Sequence, residues 1–224
     1  MTGSLLQAQT GGQQPIALIP TWSSLYFTIN NETYSTATPV EQISNWTQSA
    51  SIQDGVVKTS LMWTPTGGNT SNITLEYTIY AHRVNPNLGA VSLDVSGLAE
   101  GANVSFTDVL DGAGAWRTTF VNSSILTNRS ISTAVQPNGI SNVTAYEVSL
   151  IDFLGNASVT TSQSCYSGLS SNESTISQCY SLAAPASGKI SVYKFVGIAS
   201  SDAFPGVEFE TGERRCPRSY ALHS

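Results

Sequence analysis

Charge is scarce in this 224-residue chain: Asp, Glu, Lys and Arg make up 11% of it, against roughly 25% in ordinary soluble domains. The long charged side chains that suit exposed helix faces are missing, so the composition is unlike that of a helical cytosolic enzyme. With 9 basic residues against 15 acidic ones, a net charge of −6 and a pI near 4.7, there is no basic patch to collect phosphates. Nucleic acid is not an expected partner. No apolar run approaches the ~20 residues that cross a bilayer, and the opening MTGSLLQAQTGGQQP has neither the basic nor the apolar region of a secretory leader. Read literally, the chain is soluble and leaderless, with no membrane partner.

Other absences narrow the chemistry. Histidine occurs twice, as His82 and His223, so a Ser-His-Asp site would have to use His82, and no G-x-S-x-G elbow is present. P-loop and Rossmann spacings are missing, and DGAGA follows a strand pattern without opening a helix. Near Cys165 and Cys179 no His or further Cys stands to complete a tetrahedral metal set. Neither a cofactor nor a metal is expected.

What the chain has in quantity is hydroxyl groups and asparagine. Ser and Thr together number 57, and of 14 Asn residues ten begin an N-x-[ST] sequon: Asn31, Asn45, Asn69, Asn72, Asn103, Asn122, Asn128, Asn142, Asn156 and Asn172. At this hydroxyl content chance supplies roughly three or four. The excess points to N-glycosylation on the eukaryotic secretory route and contradicts the literal reading, so a leader is expected to be missing from the start of the chain. Cys165 and Cys179 stand 14 positions apart in CYSGLSSNESTISQC. A disulfide closing that loop would stabilise by roughly 3 kcal/mol; two unpaired thiols are the alternative. Cys216 is left over.

Apolar residues recur with period two, the mark of half-buried strands. Leu25, Phe27 and Ile29 form one such row, Ile73, Leu75, Tyr77 and Ile79 a second, Val91, Leu93 and Val95 a third. Ile190, Val192 and Val196 form a fourth, which Lys194 interrupts. Turn signals at Asn30-Asn31, Asp54-Gly55, Gly67-Gly68-Asn69, Asn87-Leu88-Gly89, Asp111-Gly112 and Asn138-Gly139 separate the rows. The pattern predicts an all-β fold, a large antiparallel two-sheet β-sandwich. It occupies residues 16–206, after a disordered leading segment 1–15 and before an atypical charged tail, 207–224. Six of the last 18 residues are charged, which suits either a solvated tail or residues foreign to the parent protein. A tail of this composition cannot join the sheets.

Two constellations could carry sugar chemistry. Asp108 and Asp111 in DVLDGAGAWRT are the obvious local carboxylate pair. The structural reading is favoured: Asp111 before Gly112 as a turn residue, Asp108 satisfied by Arg117 or a backbone N–H. Trp22, Trp46, Trp63 and Trp116 could form a sugar-stacking platform, although such residues more often pack in the core or at the rim.

Taken together, PTWSSLYFTINNETY, YAHRVNPNLGAVSLDV, DVLDGAGAWRTTFV, QPNGISNVTAYEVS and KFVGIASSDAFP closely resemble the N-terminal domain of fungal acid trehalases, in glycoside hydrolase family 65. The resemblance runs from about residue 11 to 206. It implies a galactose-mutarotase-like supersandwich, incomplete here because strands before Gly11 are missing, so that at least one sheet edge is expected to stay uncovered. It also implies a parent glycoprotein, secreted, in the cell wall or vacuolar, that hydrolyses α,α-trehalose to glucose. In such enzymes a helical barrel carries the acid and base carboxylates, so that barrel is the expected partner, with carbohydrate the substrate. After about Pro205 the helix leading to the barrel is replaced by the charged tail, so no catalytic residue carries over and the chain alone is expected to be inactive. The alternatives are a secreted carbohydrate-binding or cell-surface interaction module and, third, the nonfunctional product of a broken gene.

Overall fold

The computed structural model describes residues 16–67, 72–154, 159–162 and 166–203. Among these residues thirteen antiparallel strands form two sheets. The larger runs, in spatial order, β3 (Ile43–Ser51), β4 (Val56–Trp63), β5 (Ile73–Ala81), β6 (Leu88–Ser96), β13 (Lys189–Ser200), β10 (Ala145–Phe153), β9 (Ser130–Pro137) and β8 (Thr118–Thr127). The smaller runs β11 (Thr160–Ser162), β12 (Ile176–Ala183), β7 (Asn103–Leu110), β1 (Leu25–Ile29) and β2 (Glu32–Tyr34). The only helical pieces among the described residues are the 3-10 turns Val40–Gln42 and Gly112–Gly114, and no described helix is long and apolar enough to cross a membrane. The predicted two-sheet sandwich is the observed architecture.

Period two explains why these residues make these strands. On β6, Val91, Leu93 and Val95 point inward while Ser92 and Asp94 point out. They lie beside Ile79, Tyr77 and Leu75 of β5 in register. Asn30 and Asn31 both take left-handed φ, 53° and 64°, the backbone a two-residue hairpin turn requires, and so join β1 to β2. At YAHRVNPNLGA the turn falls earlier than Asn87-Leu88-Gly89: Leu88 N–H donates to Asn85 O, and Leu88 and Gly89 already belong to β6. Gly89 is required there by contact, since a Cβ would lie 2.7 Å from the Trp22 ring.

Between the sheets, Phe27, Phe106, Phe153 and Tyr180 pack in sequence with centroid separations of 5.3, 5.8 and 5.7 Å. Trp63, Leu75, Leu93 and Val192 complete this apolar cluster. A smaller cluster of Leu110, Ile131 and Val196 lies apart from it. At the periphery, β3 and β8 each pair on one side only among the described residues. The leading segment 1–15 and the tail 207–224 lie outside the described residues.

Candidate functional site

The densest chemistry lies between the two apolar clusters, on inward positions of β7, β13 and β10. Asp108 of the small sheet meets Lys194 of the large sheet with Nζ 2.7 Å from Oδ1, both side chains fully buried. Beside this ion pair, Lys194 donates to the backbone carbonyls of Ser24 (2.9 Å) and Val109 (2.7 Å). The second Asp108 oxygen accepts from Ser149 Oγ at 2.7 Å. A buried charge is tolerable only when paired and hydrogen-bonded in this way. Burial pushes the Lys194 ammonium below its usual range, and the Asp108 and Glu147 carboxylates oppose that shift.

Glu147 stands on β10 between Thr133 of β9 and Ile198 of β13. It is 1% exposed, and neither carboxyl oxygen has a hydrogen-bond partner. Desolvation pushes its carboxyl up to about 8, with Lys194 pulling the other way. Its register partner Thr133 donates from Oγ1 to Ser174 O (3.1 Å), and elsewhere between the sheets Tyr180 O–H donates to Gln178 Oε1 (2.8 Å).

The arrangement is unsuited to glycoside hydrolysis, which needs two carboxyl groups facing each other across a sugar. Asp108 is enclosed, and its charge is paired with Lys194. Asp111 caps the Gly112–Gly114 turn by accepting from Ala113 N–H at 2.9 Å, the turn role the sequence favoured. The groups that hold Asp108, Lys194 and Ser149, are neither of those expected; the Arg117 guanidinium lies 4.1 Å above the Trp116 ring. His82 supports no nucleophile: its Nδ1 accepts the N–H of Val84 (3.2 Å) and Asn85 (3.0 Å), fixing the turn into β6. His223 lies outside the described residues.

The four tryptophans do not converge. Trp63 is buried, donating from Nε1 to Gln42 Oε1 at 3.1 Å, and Trp22 is half-buried against Gly89. Trp46 and Trp116 are exposed, but Trp46 is on β3 and Trp116 immediately precedes β8, at opposite edges of the large sheet. Among the described residues no group of three or more His, Cys, Asp or Glu comes together to hold a metal ion.

All eight sequon asparagines within the described residues, Asn31, Asn45, Asn72, Asn103, Asn122, Asn128, Asn142 and Asn172, are exposed. Asn172 Oδ1 accepts both the N–H and the hydroxyl of its own sequon serine, Ser174 (2.9 and 2.7 Å). Asn69 and Asn156 lie outside the described residues. Cys179 is buried and disulfide-bonded; Cys165 and Cys216 lie outside the described residues.

Sequence reasoning missed Glu147 and Ser149. The signal for Asp108 and Lys194 was present, since each puts a charge, of opposite sign, on the inward side of an otherwise apolar strand.

The sequence matches the profile of the family described as glycosyl hydrolase family 65, N-terminal domain, over residues 7–218. It is 32% identical over 201 residues to the acid trehalase of Emericella nidulans, covering 88% of this chain and 19% of that protein. The cell wall acid trehalase of Arthroderma benhamiae is 31% identical over 198 residues, covering 86% and 18%. The chain thus spans about a fifth of the length of these relatives. A solved human-microbiome protein named as a kojibiose phosphorylase shares the fold with a TM-score of 0.64 at 11% identity, over 90% of this chain and 24% of the other.

Proposed function

The chain belongs to glycosyl hydrolase family 65 as its N-terminal domain, and from that premise we propose that it serves as the non-catalytic sandwich of an acid α,α-trehalase whose acid and base carboxylates stand on a helical barrel elsewhere in a longer polypeptide. The single observation that carries the non-catalytic role is that the carboxylates gathered between the sheets, Asp108 and Glu147, are enclosed, whereas hydrolysis needs carboxyl groups that reach a sugar and a water. The alignment with acid trehalases supports trehalose as the substrate of the whole enzyme.

The name of the cell wall relative and the exposure of the described sequons support an extracellular or cell-wall location, with the vacuole as the other compartment on the same route. In that oxidising setting Cys165 is the proposed partner of Cys179. A free-standing carbohydrate-binding module is not favoured, because the two exposed tryptophans belong to opposite sheet edges.

The test is incubation of the purified chain with α,α-trehalose at acid and neutral pH. No glucose above background is expected. Glucose release that disappears in Asp108→Asn or Asp111→Asn would overturn the proposal and put the chemistry in the sandwich.

A further inference from the structure

Natural sheets manage their edges because an exposed strand offers a row of unpaired N–H and C=O groups to any other chain, and the usual devices are short strands, charges, proline and bulges. The small sheet uses length: among the described residues both its edge strands, β2 and β11, have three residues. The large sheet does not. β3 (ISNWTQSAS) and β8 (TTFVNSSILT) have 9 and 10 residues, with no charge and no proline in either. Their side chains are mostly exposed, Trp46, Val121 and Ile125 among them. Long, neutral and partly apolar edges of this kind are association hazards.

Both edges carry a sequon asparagine at a register shift, inside it in β3 and bordering it in β8, where Asn122 itself pairs with Ala134. In β3 the register shifts between Ser44 and Thr47, and inside the shift sits Asn45, with φ 52°. In β8 the register shifts between Phe120 and Asn122. Asn45 and Asn122 are both sequon asparagines and both exposed. Within the eight strands of the large sheet, sequon asparagines occur in the two outermost and in none of the six between them. Burial does not force that distribution, since the inner strands also have a solvent-facing row, with Ser92, Asp94 and Asp152 on it. The Asn45 amide Nδ2 has one contact to give up, the Met62 sulfur at 2.9 Å, a weak acceptor.

We propose that N-linked glycans on Asn45 and Asn122 cap the two long edges of the large sheet and block edge-to-edge pairing with a second copy of the chain. The bulge bends the edge, and a hydrated glycan at the bend keeps a second strand from the ~4.8 Å approach that a β-ladder needs. The inference rests on the secretory reading of the sequons.

The experiment expresses the full chain behind a host leader in a secretory eukaryotic host, reads occupancy by glycopeptide mass spectrometry and association by sedimentation velocity. Both edge sites are expected to be occupied and the protein monomeric. Asn45→Gln with Asn122→Gln is expected to tighten self-association at least tenfold, whereas Asn103→Gln, at the start of β7 in the small sheet, leaves the protein monomeric. Thr47→Ala with Ser124→Ala, which removes the same two glycans and keeps both asparagines, is expected to reproduce the association. Occupied sites whose loss leaves a monomer would overturn the proposal, as would association in the asparagine variants alone. Bare edge sites on a chain glycosylated elsewhere overturn it too, while a chain with no glycan at any sequon overturns the secretory reading itself.

Discussion

One part of the space between the sheets is built from rings and aliphatic chains: Phe27, Trp63, Leu75, Phe106 and Val192 interlock there with little need of particular partners. Further along the same strands, β7 and β13 place Asp108 and Lys194 on the next inward positions, and β10 adds Glu147 and Ser149. The difference lies in what each region demands. The apolar region is held by area removed from water and by dense packing, so it tolerates any side chain of suitable shape. In the ionic layer Asp108 and Lys194 are held by pairing with each other, and losing one strands the other's charge in a low-dielectric interior.

Breaking either region should therefore produce a large loss, but only the loss in the ionic layer should be recoverable by a second substitution. Lys194→Ala leaves the Asp108 carboxylate without its charge partner and is expected to cost about 3–5 kcal/mol in urea unfolding. Replacing both partners by apolar residues, Asp108→Leu with Lys194→Met, should recover most of that loss, because a matched apolar pair needs no compensation. Non-recovery would mean that the layer does more than satisfy itself. In the apolar region Trp63→Ala should cost about 3–5 kcal/mol by leaving a cavity, and no second substitution at a distance should rescue it. The smallest effect expected is that of Asp111→Ala, about 1 kcal/mol through loss of the turn cap. A larger loss, or one that changes with trehalose, would mark Asp111 as more than a turn residue.

Much of this was legible in the chain. The alternation at Ile73, Leu75 and Tyr77 and at Val91, Leu93 and Val95 names both strands and their inward faces, because a half-buried strand has no other period. Exposure of the sequon asparagines follows from the same chemistry: a residue built to bear a glycan cannot sit in a packed core. Lys194 appeared only as an interruption of an apolar row. Its partner was not legible, because Asp108 lies on the other sheet and their meeting depends on how two sheets stack, which no local pattern encodes. Glu147 gave less still. It reads as an ordinary acidic residue until the pairing with Thr133 and Ile198 fixes which way it faces.

The central claim, that the carboxylates between the sheets are enclosed structural groups and no open catalytic site, is tested most directly by unfolding free energy against pH in wild type and in Glu147→Gln. In the folded chain Glu147 keeps its proton to about pH 8, against an ordinary value of 4.5. The folded state therefore binds the proton more tightly than the unfolded one, so this contribution is complete below about pH 4.5 and is lost as pH rises toward 8. At about 1.4 kcal/mol per pH unit and proton, the loss amounts to a few kcal/mol. Comparison with the variant isolates Glu147 from Lys194 and Asp108, which face it, and from surface groups such as Glu32, whose carboxyl is held low by Thr66. The account predicts that wild type loses stability relative to Glu147→Gln steadily between pH 4.5 and 8. Parallel curves would contradict it, placing the Glu147 carboxyl in water and making the space between the sheets accessible to a substrate.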